Sequence, residues 1–159
     1  MSDLRIGTGF DAHALVAGIP LVLGGVEFPD EPAGLAGHSD GDVIAHALID
    51  AVLGAAAMGD IGSLFPSGEP EWKGASSLDL LSRAYAQVRE AGFQLANADC
   101  VLVGEEPRIA PLREAMQARL AEAMDVEAGV VTVRATTTDR LGFTGRGEGL
   151  AAIAVALLT

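Results

Sequence analysis

The three histidines of this 159-residue chain all lie near carboxylates, in two short segments. In the first segment, residues 9–13 (GFDAH), Asp11 and His13 are two positions apart, so on a strand both side chains would project from the same face. The second segment, residues 38–46 (HSDGDVIAH), ends at His46. One Asp and two His ligands with an open fourth position are typical of a catalytic zinc or a similar divalent ion.

Each of these residues also has a simpler structural interpretation. Ser39 and Asp42 have the spacing of a helix cap and its capping box, with Asp42 in place of the usual Glu. His46 would share a helix face with Asp42, and Asp42 is therefore a possible fourth ligand. Alternatively, His46 could be a hydrogen-bonded residue of the core. Because all three histidines would then lie beside carboxylates by coincidence, the set Asp11, His13 and His46 favours a metal site.

A second polar cluster occupies residues 135–149 (ATTTDRLGFTGRGEG). Its threonine hydroxyls could donate to phosphate oxygens, Asp139 could hold a hard cation such as Mg²⁺, and its glycines allow close approach of a ligand or a subunit. The alternative is a plain turn between two strands with an Arg146–Glu148 ion pair, and the residues alone leave both open. For a third segment, residues 104–111, a loop and helix cap is favoured over nucleotide contacts.

The elements that must position these segments alternate between strands and helices, which predicts a two-layer α/β domain spanning residues 1–159, with helices on one face of a mixed sheet. Strands are predicted at 4–13, 19–23, 95–103, 130–135 and 149–158. Helices are predicted from Ser39 to about 58, from Ser76 or Ser77 to 92, and at 109–124. The last strand is almost wholly apolar, so burial on both of its faces is expected.

Composition restricts the possible partners. Hydrophobic residues make up 50% of the chain before its 20 glycines are counted, more than a typical small domain hides in one core, so we expect a subunit interface. The net charge of −12 disfavours nucleic acid and anionic membranes, and a phosphorylated ligand would require local positive charge such as a bound divalent ion.

Cys100 is expected to be a buried, inert thiol. No leader or membrane-spanning run is recognised, so a soluble cytoplasmic protein is expected.

Four motifs, taken together and in the order in which they occur, resemble those of the 2-C-methyl-D-erythritol 2,4-cyclodiphosphate synthases of non-mevalonate isoprenoid biosynthesis. They are residues 9–13, 38–46, 59–66 (GDIGSLFP) and 135–149. The resemblance implies a homotrimer with three active sites at subunit interfaces. It also implies cyclisation of 4-diphosphocytidyl-2-C-methyl-D-erythritol 2-phosphate with release of CMP, and no fused cytidylyltransferase domain is expected.

The resemblance further implies roles for individual residues. Asp11, His13 and His46 would ligate Zn²⁺ together with a substrate phosphate oxygen, and Asp139 would hold a second divalent ion, Mg²⁺ or Mn²⁺. Catalytic and substrate-binding roles would also fall to His38 and Ser39, to Asp60, Gly62 and Phe65 around the methylerythritol unit, and to Gly104, Arg108, Ile109, Ala110, Ala135, Thr136 and Thr137 around the cytidine diphosphate. Phe143 and Arg146, with Glu148, would lie near a cavity on the trimer axis able to take an isoprenoid diphosphate.

The chain departs from the family pattern at a few positions: Asp139 replaces the usual Glu, Arg108 and Arg140 replace Lys, and Ser67 replaces Asp. Two other functions stay open on the residues. One is a metal-dependent nucleoside-diphosphate hydrolase, which would need an activated water. The other is a non-catalytic regulatory trimer that uses only the axial cavity, and the intact set of metal ligands argues against it.

Overall fold

The computed structural model describes residues 3–159, in which a five-stranded mixed sheet carries its helices on one face. In spatial order the strands are β4 (Ala33–Leu35), β1 (Arg5–Ala17), β7 (Gly149–Leu158), β5 (Leu95–Val103) and β6 (Val131–Thr136). The central strand β7 is antiparallel to both β1 and β5, whereas β6 is parallel to β5. This arrangement confirms the predicted mixed α/β class.

Five helices and a small ribbon complete the described residues. The helices are α1 (Val43–Ala55), α2 (Ile61–Leu64), α3 (Ser77–Glu90), α4 (Arg113–Met124) and α5 (Gly142–Gly145). Three single 3₁₀ turns lie at Pro70–Trp72, Ala110–Leu112 and Ala128–Val130. The ribbon pairs β2 (Val22–Leu23) with β3 (Val26–Glu27). None of the helices within residues 3–159 has the length and apolar character needed to cross a membrane.

Helix α1 forms the centre of the core because small residues let it lie directly on the sheet. Eleven of its thirteen residues are buried. On β1, Gly7 and Gly9 face the helix backbone, and on β7 the buried Ala152, Ala154 and Ala156 share that side of the sheet. Close packing of this kind is sensitive to single methyl groups. The sheet therefore fixes the position of α1 along β1.

The opposite face of the sheet is apolar and exposed. Ile6 is 71% exposed, Phe10 61%, Ile153 43% and Val155 40%. The prediction that the last strand is buried on both faces is therefore wrong for the single chain, because no helix covers this side and only the alanine side of β7 is covered. This exposed face contains hydrophobic residues that one core does not bury, as the composition predicts.

Other sequence-based boundaries need correction. The predicted strand at 19–23 is reduced to the two residues of β2, because the chain turns at Gly24 and Gly25, both of which have positive φ. The helix predicted from residue 109 begins as an α-helix only at Arg113, after the 3₁₀ turn that contains Pro111. Residues 60–70, for which neither a helix nor a strand is predicted, contain the short helix α2. Cys100 is buried as expected, and burial raises the pKa of its thiol to about 12.

Candidate active site

Strand β1 carries the first two residues of the predicted metal set on the face that packs against α1. This face of β1 is formed by every second residue, namely Gly7, Gly9, Asp11 and His13. Each of them pairs with a residue of β7 that points to the same side of the sheet. The two glycines lie under the middle and end of α1, so the two polar side chains reach its first turn, where His46 is located. The register that buries the glycines thus also brings the polar residues to His46.

The three side chains converge on one point. The distance from Asp11 Oδ2 is 2.8 Å to His13 Nε2 and 3.0 Å to His46 Nδ1, and the two histidine nitrogens are 3.1 Å apart. Three lone-pair donors this close to one another require a proton or a cation between them. One carboxylate oxygen and two imidazole nitrogens are ligands suited to a divalent ion such as zinc. The set therefore fits a divalent metal.

Electrostatics inside the set favour a positive charge. Burial alone would raise the pKa of Asp11, but the hydrogen bonds and charges of His13 and His46 outweigh it and lower the pKa from 3.8 to about 2. The hydrogen bond to Asp11 raises the pKa of His13, against the opposing effect of burial. Asp11 thus remains an anion that attracts either a proton or a metal ion.

Asp42 does not point at this set. Its Oδ1 accepts hydrogen bonds from the backbone N–H groups of Ile44 and Ala45, each at 3.2 Å, and of Gly24 at 2.9 Å, while Oδ2 accepts one from Gly25 at 2.7 Å. Asp42 is therefore the N-cap of α1 and also ties the β2–β3 turn to it. Burial, with a contribution from the charge of Asp40, raises its pKa to about 6 against these hydrogen bonds.

The prediction that Ser39 caps this helix is wrong. Ser39 Oγ instead lies 2.9 Å from His46 Nε2, on the side of the ring away from Asp11. Ser77 Oγ is also 2.9 Å from that nitrogen. The sequence suggested only a helix-cap role for Ser77, because no spacing rule connects two residues 31 positions apart.

A cavity of about 440 Å³ opens beside the metal set. The candidate residues His38, Ser39, Gly62 and Phe65 line it, together with Ser67 and Trp72. The rings of Phe65 and Trp72 pack edge to face with centroids 5.0 Å apart, which makes one wall apolar. His38 Nε2 is 3.1 Å from the carbonyl oxygen of Glu69, so this ring also holds the loop that forms the wall.

Asp60, predicted to line the same cavity, is instead exposed beside it as the N-cap of α2. Its Oδ1 accepts hydrogen bonds from Ser63 N at 2.8 Å and Ser63 Oγ at 2.7 Å. These bonds lower the pKa of the carboxyl. Asp50 Oδ1 accepts from Ile61 N at 2.7 Å, a contact that joins α2 to α1 and that sequence reasoning missed.

A second cavity, of about 730 Å³, contains most of the residues predicted to contact cytidine diphosphate. The candidates among its lining residues are Gly104, Arg108, Ile109, Ala135, Thr136, Thr137 and Arg146. Strand β6, which ends at Thr136, is three strand positions from β1, or about 14 Å at ordinary strand spacing. A single chain therefore keeps the metal set and the threonine cluster apart.

Besides Asp60, three candidates lie outside both cavities. Asp139 is exposed on a turn with φ of 52°, and its Oδ1 accepts a long 3.3 Å hydrogen bond from Thr137 Oγ1. Ala110 is exposed in its 3₁₀ turn. Phe143 lines a smaller cavity of about 300 Å³ with His13 and Glu148. Glu148 forms an ion pair with Arg146, at 2.9 and 3.2 Å, as the plain-turn alternative for this segment predicts.

Comparison with known proteins gives consistent results. A model of the YgbB family matches residues 4–159. The 2-C-methyl-D-erythritol 2,4-cyclodiphosphate synthase of Moorella thermoacetica is 56% identical over 155 residues, which are 98% of this chain and 94% of that protein. Among solved structures, the bifunctional IspDF from Campylobacter jejuni superposes with a TM-score of 0.94 at 44% identity over 98% of this chain and 42% of the longer one. A CDP-bound form of 2C-methyl-D-erythritol-2,4-cyclodiphosphate synthase gives 0.88 at 38% identity, covering 98% and 100%.

Proposed function

The chain belongs to the YgbB family, and we propose on this premise that it converts 4-diphosphocytidyl-2-C-methyl-D-erythritol 2-phosphate into 2-C-methyl-D-erythritol 2,4-cyclodiphosphate with release of CMP. It is an enzyme of isoprenoid biosynthesis. The convergence of Asp11, His13 and His46 beside a cavity is the observation that carries the proposal, since this reaction brings phosphate groups together and needs concentrated positive charge.

We assign Zn²⁺ to Asp11, His13 and His46. A zinc ion bound there would act as a Lewis acid and template for a substrate phosphate oxygen rather than as a source of hydroxide. The assignment is supported by the one-oxygen, two-nitrogen ligand set and by the anionic character of Asp11. Asp139 would hold a second divalent ion, Mg²⁺ or Mn²⁺, against the diphosphate, with Thr137 beside it.

The reaction needs no strong base from the protein. An oxygen of the 2-phosphate, already anionic at neutral pH, attacks the β-phosphorus, while the bond from that phosphorus to the bridging oxygen breaks and CMP leaves with the electron pair. The difficulty is the approach of two anions. Hydroxyl donors at Thr136 and Thr137 would stabilise the charge that develops on the phosphate oxygens, and His38 and Ser39 would orient the phosphate at the metal side.

The substrate would span both cavities. The apolar wall of Phe65 and Trp72 suits the methylerythritol unit, and the larger cavity, with Arg108 and its backbone amides, suits cytidine diphosphate. Because these cavities lie on separated strands of one chain, we infer that each complete site combines the metal set of one subunit with the threonine cluster of a neighbour. A homotrimer of this kind would also cover the exposed apolar face.

The cavity beside Phe143 would then lie near the trimer axis. Glu148 lines it and is ion-paired to Arg146, and its size leaves room for an apolar chain. We assign to this cavity an isoprenoid diphosphate, whose charged end Arg146 would contact.

Phosphorus NMR provides the direct test of the activity. Purified protein is incubated with the cytidyl substrate, Zn²⁺ and Mg²⁺, and the products are followed over time. The expected products are a cyclic diphosphate and CMP in equal amounts. CMP and a linear 2,4-bisphosphate without a cyclic product would instead identify a hydrolase, and no turnover at all would contradict both activities.

A further inference from the structure

The imidazole of His46 is held from both sides. Nδ1 faces Asp11 and His13, whereas Nε2 faces Ser77 Oγ and Ser39 Oγ, each at 2.9 Å. A neutral imidazole carries one proton, and the nitrogen that binds a metal must be the one without it. Which nitrogen of His46 can bind an ion therefore depends on whether the hydroxyls beside Nε2 accept or donate.

The surroundings of Ser77 decide that direction. Its hydroxyl contacts Oδ1 of Asp40, and its backbone N–H donates to Oδ2 of the same residue at 3.0 Å. A carboxylate only accepts hydrogen bonds, so the single hydroxyl proton of Ser77 points to Asp40. The oxygen of Ser77 is then left as an acceptor, and the proton between it and His46 must reside on Nε2.

We propose that Ser77 and Asp40 are positioning residues that keep the proton of His46 on Nε2 and so present the bare Nδ1 to the divalent ion. This proposal rests on the metal site proposed above. The order of the hydrogen bonds is His46 Nε2–H to Ser77 Oγ, and Ser77 Oγ–H to the Asp40 carboxylate. Partners of this kind, one step beyond the ligands, orient the ring and commonly change metal affinity 10–100-fold.

Burial makes this chain of hydrogen bonds specific. Ser77 has no exposed surface, and it belongs to the first turn of α3, whereas His46 belongs to α1. Ser39 Oγ lies 3.3 Å from Ser77 Oγ and can donate to it, which leaves an acceptor lone pair of Ser39 towards His46 as well. Removing the Ser77 hydroxyl would leave the ring with Ser39 as its single partner at Nε2.

Asp40→Asn is the sharper substitution because it keeps the size of the side chain. Two donors of Ser77, the backbone N–H and the hydroxyl, point at the Asp40 carboxylate, but an amide has one acceptor oxygen. If that oxygen accepts from the backbone, the amide donates to Ser77 Oγ and the hydroxyl proton turns to His46 Nε2. The proton of His46 would then move to Nδ1, the nitrogen that the metal needs.

The test compares Asp40→Asn and Ser77→Ala with two control variants in the full-length protein, both loaded with zinc and after zinc has been removed. Ser76→Ala is the control for the serine, because the neighbouring Ser76 is exposed and its side chain makes no cap hydrogen bond. Asp79→Asn, an exposed acid in the same helical turn, is the control for the charge. Zinc affinity is measured by competition with a chromophoric chelator. Long-range ¹H–¹⁵N NMR on the metal-free proteins shows which nitrogen of His46 carries the proton, since zinc bound at Nδ1 would itself exclude the proton from that nitrogen.

We expect zinc affinity to fall about 10–100-fold in both variants and to stay within about twofold in the controls. In metal-free Asp40→Asn the NMR signal should show the proton on Nδ1 instead of Nε2. Unchanged affinity, or weakened affinity with the proton still on Nε2, would overturn the proposal, and Asp40→Asn decides alone if Ser77→Ala does not fold. A wild-type chain that binds no zinc would instead contradict the metal site itself.

Discussion

A Cβ atom placed on Gly9 would lie 1.8 Å from the carbonyl oxygen of Ala47, so the backbones of β1 and α1 are in direct contact. Asp11 follows Gly9 by two positions on the same face of the strand, and His46 precedes Ala47 in the helix. This contact therefore sets the distance between the carboxylate and the imidazole. The metal set depends on a glycine that has no chemistry of its own.

Gly9→Ala should push α1 away from β1. Overpacking of this kind costs about 1–3 kcal/mol or more, and the shift should also weaken zinc binding by separating His46 from Asp11. Gly54→Ala is the matched control in the same helix, since its new methyl group would meet nothing nearer than 3.9 Å. Urea unfolding and chelator competition measure the two effects, and a Gly9→Ala protein as stable as Gly54→Ala would contradict the packing argument.

His13→Ala and His46→Ala should each abolish most of the turnover while the fold survives. Metal-ion catalysis is worth several kcal/mol, so a loss of about 100-fold or more is expected. Activity is measured by CMP release, zinc content by elemental analysis, and folding by circular dichroism. Near-normal turnover in a variant that contains no zinc would remove the zinc hypothesis.

The pH dependence of stability should change sign with metal. In the metal-free chain the pKa of His13 is raised from 6.5, so its contribution to the free energy of unfolding is full below pH 6.5 and is lost as pH rises through the raised value. Asp11, with its pKa lowered from 3.8 to about 2, contributes above 3.8 and loses that contribution as pH falls towards 2.

Zinc reverses the upper part of this profile because it binds only the deprotonated His13. Urea midpoints measured between about pH 6 and 8.5 should fall in chelator, while the increment gained on adding zinc should grow. The His13→Ala protein is the control and should lack both trends. A zinc increment that does not depend on pH would show that His13 is not a ligand.

Asp139→Asn should raise the Mg²⁺ concentration needed for half-maximal turnover by about tenfold, since an amide is a weaker ligand for a hard cation. Asp125→Asn is a closely matched control. Both aspartates are exposed and have similar positive φ values, 52° at Asp139 and 54° at Asp125, and Asn tolerates this backbone conformation. Equal Mg²⁺ dependence of the two variants would exclude Asp139 as a ligand.

Ile153→Glu should convert the proposed trimer to monomers and abolish turnover, because it places a charge in the middle of the exposed apolar face. Ala86→Glu, on the exposed side of α3, should change neither property. Sedimentation velocity measures the mass. A trimeric Ile153→Glu protein would show that this face is not the interface, and an active monomer would show that one chain holds a complete site.

Local patterns in the sequence were sufficient for much of this description. Alternation along β1 and the positions of His13 and His46 predicted the metal set, because strand and helix periods determine which side chains share a face. Separately, the order of the motifs identified the family. Spacing was less reliable for the exact start of a helix. Ser39 was predicted to be the N-cap that Asp42 forms, since Ser and Asp can both cap a helix and the backbone conformation decides which one does.

The sequence by itself thus determined the mixed α/β class, the buried thiol and the three metal-set residues, all of which depend on short-range periodicity and residue type. Only the tertiary structure decided that Ser77 contacts His46 and is itself held by Asp40, that Gly9 sets the helix position, and that the threonine cluster follows a strand three positions from β1 in the sheet. These relationships join residues distant along the chain. They arise from the packing of helices on a sheet, and such packing leaves no recognisable pattern in the local sequence.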